Sequence, residues 1–95
     1  MAGYILIDEV ITDETLFGEF AEKIVDVIVA HGGRFLVRGG AAEAITGDFT
    51  PHRVVVMEFE SAGRARECVN SPEYAALTDI RVASATTNMI IVEGV

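Results

Sequence analysis

Two arginines frame the run Arg34-Phe35-Leu36-Val37-Arg38. Side chains alternate along an extended strand, so this spacing predicts Arg34, Leu36 and Arg38 on one face and Phe35 and Val37 on the other. The guanidinium fork donates bidentately to carboxylates, which makes the two arginines candidate clamps for a carboxylate or enolate. By strand parity Asp8, Glu58 and Asn88 join the same face, with Glu58 within reach of Arg38 or Asp8. Polar groups in otherwise apolar surroundings cost several kcal/mol each unless paired. The set is therefore either a structural ion-pair network or a ligand pocket.

Two residues are candidates for moving a proton. Glu58 is one. His31 is the other, because imidazole titrates near neutrality; its competing role is to cap a helix C-terminus, where the dipole favours imidazolium. Tyr74 and Arg81 lie seven residues apart on one predicted helical face. They either close a pocket mouth or pack as a lid, so the ligand-binding candidates are Arg34, Arg38, Tyr74, Arg81 and Asn88. His52, beside Pro51, is expected in a solvated loop. Two histidines 21 apart with scattered carboxylates make no metal motif, and neither a metal nor another cofactor is expected. Cys68 reads as a small buried apolar residue. The glycine pairs lack the Lys-Ser/Thr of a P-loop and do not form GxGxxG.

The elements that must position these residues follow from periodicity. Tyr4 to Ile11 reads as a strand. Asp13 caps a helix whose apolar stripe is Leu16, Phe17, Phe20, Ile24 and Ile28, and His31-Gly32-Gly33 ends it near residue 30. Arg34 to Arg38 is the second strand, and Gly39-Gly40 marks a bulge or bend. Arg53 to Glu60 is the third strand. Ser61 caps a helix to about Asn70, Ser71-Pro72-Glu73 starts another to about Val82, and Thr86 to Glu93 is the last strand. The order β-α-β-β-α-β specifies an α+β, ferredoxin-like fold: an antiparallel four-stranded sheet with both helices on one face, in a single domain over residues 1–95.

A sheet with one open face should be polar on that face. Here Tyr4, Leu6 and Val10 oppose Ile5, Ile7 and Ile11, Val54 and Val56 oppose Val55, Met57 and Phe59, and Ile90 and Val92 oppose Met89 and Ile91. No chain remains to cover the second face, so a homodimer packed sheet against sheet is expected, with Val56 on the dimer-facing side.

The run from His31 to Gly40, together with Thr12-Asp13, Glu58-Phe59, Ser71-Pro72-Glu73-Tyr74, Arg81 and Val92-Glu93-Gly94, resembles domain-of-unknown-function family 1330. Phe20, Phe49 and Glu14 depart from its usual residues, outside the glycine–arginine core of the motif. The resemblance implies the dimeric α/β-barrel superfamily, which also holds muconolactone isomerases, antibiotic-biosynthesis monooxygenases and haem-degrading enzymes. It implies no particular reaction.

Composition narrows the function classes. Ninety-five residues make one domain. Fifteen acidic against seven basic residues, with a single lysine, exclude the clustered cations that nucleic-acid binding needs. One cysteine excludes an internal disulfide. No apolar run approaches a membrane span, and no targeting signal opens the chain, so a cytoplasmic protein is expected. Two functions remain: a barrel that binds, and as a cofactor-free isomerase or oxygenase converts, a small anionic or aromatic acid; or a non-catalytic dimeric module whose polar interior sets sheet register. A cavity beside the arginines would favour the first.

Overall fold

The structure is a computed structural model that describes all residues, Met1–Val95. Its elements are β1 (Gly3–Ile11), α1 (Glu14–Ala30), β2 (Arg34–Gly40), β3 (Arg53–Phe59), α2 (Ala62–Val69), α3 (Pro72–Ala75), α4 (Thr78–Ser84) and β4 (Ala85–Glu93). The strands form one antiparallel sheet in the order β2-β3-β1-β4. Local chemistry starts the helices where expected. Asp13 accepts the Leu16 N–H at 3.0 Å, and the Ser61 and Ser71 hydroxyls accept those of Arg64 and Tyr74 at 3.1 Å. The single helix expected after Ser71 is two, α3 and α4, divided at Ala76 and Leu77. That division lets Leu77 as well as Ile80 pack against the core.

All helices lie on one side of the sheet. The core between the layers is Ile5, Val55, Met57 and Phe59 from the strands against Phe17, Phe20, Ile24 and Ile28 of α1, with Ala65 and Cys68 of α2. The smallest dimension of the molecule is 17 Å, enough for the sheet and one helical layer. The opposite face is bare. Val10, Val37, Ile90 and Val92 are exposed on it, and Leu6, Val54 and Val56 are only half-buried.

One register feature governs the functional residues. Arg34 pairs with Glu58 and Phe35 with Met57, but then Val37 pairs with Val56 and Arg38 with Val55. Directly opposed residues share a face. Leu36 is thus an extra residue, a bulge that reverses the parity of Val37 and Arg38. Arg34 and Val37 lie on the open face; Phe35 and Arg38 lie beneath the helices. The expectation that Arg34 and Arg38 share a face is therefore wrong, because uninterrupted alternation does not hold through Leu36. A second irregularity falls between Arg38 and Gly40, at the glycine pair, as expected. Gly39 has φ +75°, and a Cβ there would sit 2.8 Å from the Arg53 Nε. Glycine supplies both the left-handed turn and the room for that guanidinium.

Gly39→Ala should consequently destabilise the fold by about 1–2 kcal/mol from the left-handed conformation alone, and by more once Arg53 is displaced. Urea denaturation measures this. Wild-type stability of the variant would show that β2 re-registers freely.

Candidate functional site

Between α1 and the sheet lies a cavity of about 40 Å³. Ile5, Ile7, Phe20, Ile24, Val55 and Met57 make its apolar walls, Phe35 lies toward the β2 edge, and Tyr74 and Met89 toward the β4 edge. Three charged residues also line it: Glu9, Arg38 and Arg53. Glu9 and Arg53 are directly opposed on β1 and β3. The Glu9 side chain is only 4% exposed, and its Oε2 accepts a hydrogen bond from Arg53 Nη1. The Arg53 guanidinium lies over the Phe17 ring, 5.0 Å from its centroid. An unpaired carboxylate at this depth would be prohibitive; the arginine makes it tolerable.

Arg38 is held differently. Its guanidinium lies 4.7 Å from the Phe35 ring centroid and donates through Nη2 to the Ala21 carbonyl of α1. It has no carboxylate partner among the ion pairs of the protein. Much of its donor capacity at the cavity is free. Burial pushes the Tyr74 phenol up, opposed by the nearby charge of Arg81, so the hydroxyl is a donor at neutral pH. Arg81 lies beside the site rather than in its wall, with its Nε buried and without a partner.

The open face carries a separate polar system. Glu58 Oε1 accepts from Arg34 Nε at 2.8 Å, with Arg34 Nη2 2.6 Å away in the ion pair, while Oε2 accepts from the Tyr4 hydroxyl at 3.1 Å. These donors, Arg34 first, hold the Glu58 carboxyl below its ordinary range, and the bond to Glu58 raises the Tyr4 phenol. Asp8 Oδ1 accepts the His52 backbone N–H at 2.7 Å, and its Oδ2 lies 3.0 Å from His52 Nδ1. Those two hydrogen bonds lower the Asp8 carboxyl. Asn88 is opposed to Asp8 across β4. Both residues line a shallow hollow of about 280 Å³ with Leu6, Val54, Ile90 and Phe49, the last from the β2–β3 connection.

At the far end of α1, His31 Nδ1 lies 2.8 Å from the Val27 carbonyl. A carbonyl only accepts, so Nδ1 carries the proton. The His31 carbonyl in turn accepts from Arg64 Nη2 at 3.2 Å. This is the capping role. No three His, Cys, Asp or Glu side chains gather where they could hold a metal ion.

The sequence over residues 2–95 matches the family model described as a domain of unknown function, DUF1330. The chain belongs to that family. No curated protein matches the sequence. Among solved structures, a protein of unknown function from Rhodopseudomonas palustris superposes with a TM-score of 0.78 at 15% identity, over 99% of this chain and 82% of that one. A DABB-family protein with a ferredoxin-like fold from Mesorhizobium loti gives 0.68 at 15%, over 99% and 97%. SnoaB, a cofactor-independent oxygenase from Streptomyces nogalater, gives 0.67 at 9%, over 99% and 93%. At these identities the likeness is one of fold, and it agrees with the ferredoxin-like architecture expected from the element order.

In this DUF1330 chain the residues singled out from the sequence divide among three places. Arg38 and Tyr74 line the helix–sheet cavity, with Arg81 adjacent. Arg34, Glu58 and Asn88 lie on the open face. His31 lines neither cavity. The expected pairing of Glu58 with Arg38 is replaced by Glu58 with Arg34, which the β2–β3 register places directly opposite it. His52, expected to be solvated, is half-exposed and tied to Asp8. Cys68 is buried, and burial raises its thiol. Glu9 and Arg53 are the residues that sequence reasoning missed. The signal was parity: Glu9 falls in phase with Ile5, Ile7 and Ile11, and Arg53 with Val55, Met57 and Phe59, so each is a charge on a helix-facing stripe.

Glu58 and Asp8 both have folded-state pKa values below their unfolded ones. Their contribution to stability is present above the unfolded values, 4.5 and 3.8, and is lost as pH falls through the depressed folded values. The melting temperature should therefore drop on acidification below about pH 4.5. Glu58→Gln should melt lower than wild type at neutral pH yet show a shallower acid limb. A melting curve against pH checks this, and parallel acid limbs would refute it.

Proposed function

We propose that the protein binds a small, largely apolar carboxylic acid in the helix–sheet cavity, as a homodimer closed through the bare sheet face. One observation carries the ligand reading: Arg38 lines an apolar cavity with its guanidinium held by ring stacking and one backbone carbonyl, and by no carboxylate. An incoming carboxylate would replace a neutral acceptor with a charged, bidentate one. The cavity of about 40 Å³ has space for only a few water molecules, so binding requires it to widen. Its lining suits that: Met57 and Met89 are unbranched and adaptable, and Arg38 is an exposed side chain able to swing outward. The shared fold with a cofactor-independent oxygenase supports cofactor-free oxygenation of the bound acid. Of the candidate proton carriers neither His31 nor Glu58 lines this cavity; its carboxylate is Glu9, ion-paired with Arg53.

The dimer rests on the bare face. Leaving Leu6, Val54, Val56, Ile90 and Val92 uncovered forgoes about 1.5–3 kcal/mol for each large side chain that a partner could bury fully. Sedimentation equilibrium at micromolar concentration should give a dimer. Val56→Asp, which puts a charge in the middle of that face, should abolish the dimer or aggregate; a stable wild-type monomer would overturn this part of the proposal.

The ligand reading is tested by thermal melts with benzoate, phenylacetate and cinnamate. At ten times Kd, linkage supplies about 1.4 kcal/mol, which raises the melting temperature of a domain of this size by about 6–11 °C. Arg38→Met should melt close to wild type and lose most of that rise, whereas Arg34→Met should lose stability through Glu58 and keep it. The small size of the cavity favours one other reading, a non-catalytic dimeric module. If no acid shifts the wild-type melt, that reading stands.

A further inference from the structure

The buried Thr87 Oγ1 and the partly buried Tyr74 hydroxyl both lack an oxygen or nitrogen partner, and of the two only Tyr74 lines the cavity. Ser71 and Ser84 each donate to a backbone carbonyl at 2.7 Å, Cys68 and Ile80 respectively. Tyr74 is partly buried against the same core, yet its hydroxyl meets only the Met89 Sδ at 3.7 Å. A thioether is a weak acceptor, and buried tyrosine hydroxyls ordinarily find an oxygen or nitrogen. The hydroxyl lies at a cavity wall with a hydrogen to give and no strong acceptor for it.

Its position relative to Arg38 is set by the strand order. Arg38 belongs to the edge strand β2, and Tyr74 reaches Met89 on the opposite edge strand β4. Three strand spacings separate those strands, about 14 Å, and both residues line the cavity whose walls include Ile5, Ile7 and Met57. The cavity therefore has a polar residue toward each edge of the sheet, with the Glu9–Arg53 ion pair on the central strands and apolar walls around it. Charge near the Tyr74 end is mixed. Arg81 places a positive charge by the phenol and Glu9 a negative one, so the end suits a neutral acceptor better than a second carboxylate.

We propose that Tyr74 is a specificity-determining residue of this cavity, donating a hydrogen bond to a second, uncharged oxygen of an acid whose carboxylate is held at Arg38. This inference rests on the acid-binding reading above. It names the ligand class: a small rigid acid, aromatic or of similar length, with a carbonyl-type acceptor at the end remote from its carboxylate. A short aliphatic diacid is excluded twice, by its length and by its second charge.

The test uses two acids of nearly equal shape, para-acetylbenzoate and para-isopropylbenzoate, which differ in the remote acceptor. Titration calorimetry on the wild-type protein should show the acetyl compound binding about three- to tenfold more tightly, the range expected for one hydrogen bond. Tyr74→Phe, which forfeits only a sulfur contact in the free protein, should bring the two acids level by weakening the acetyl compound alone. Arg38→Met should weaken both together. Equal binding of the two acids by the wild type, or an equal loss of both in Tyr74→Phe, overturns the role of Tyr74 while leaving the acid site in place. Binding of neither acid overturns both. Should Tyr74→Phe fold poorly in a thermal melt, the wild-type comparison of the two acids decides by itself.

Discussion

A four-stranded sheet has two faces, and this chain has helices for only one of them. Both faces are nevertheless built from Ile, Leu, Val and Met, because every strand carries apolar residues in both phases. One face condenses with α1, α2 and the two short helices into the core. The other presents Leu6, Val54, Val56, Ile90 and Val92 without cover. An apolar surface of this extent is more costly in water than against a second copy, which is why the proposed dimer and the fold belong to one physical problem. The covered face holds the cavity between the sheet and α1.

The bulge at Leu36 divides the charges between those faces. On the open side Arg34 and Tyr4 saturate Glu58, and Asp8 is taken up by His52. Carboxylates held this way have lowered pKa values and are poorer proton acceptors. On the helix side Arg38 has a ring and a carbonyl for company, and no carboxylate. A single inserted residue thus turns one clustered ion-pair network into two systems with different chemistry, one satisfied and one with donor capacity to spare.

The buried Glu9–Arg53 pair has no evident purpose in stability. Replacing such a pair with apolar residues of similar size is often neutral or stabilising, and breaking it is strongly destabilising. Its setting is a cavity wall, with Gly39 clearing space for the arginine and Phe17 stacking on it.

Local signals in the sequence determined the helices and the fold class. Asp13, Ser61 and Ser71 cap as their types require, the stripe from Phe17 to Ile28 faces the core, and the order of elements admits the observed sheet. Caps and periodicity act over three or four residues and are legible wherever they occur. What the tertiary structure decided is non-local. Leu36 bulges because Val37 and Arg38 must register with Val56 and Val55, and nothing in Arg34-Phe35-Leu36-Val37-Arg38 itself breaks the alternation. Glu9 meets Arg53 across 44 residues, and Tyr74 meets Met89 across 15, through pairings that exist only once the strands are assembled. His31 carried the right local reading as a cap, and it lines neither the helix–sheet cavity nor the hollow on the open face. The residue types capable of chemistry were visible in the chain; which of them share a cavity depended on strand register, a property of two strands together and of neither alone.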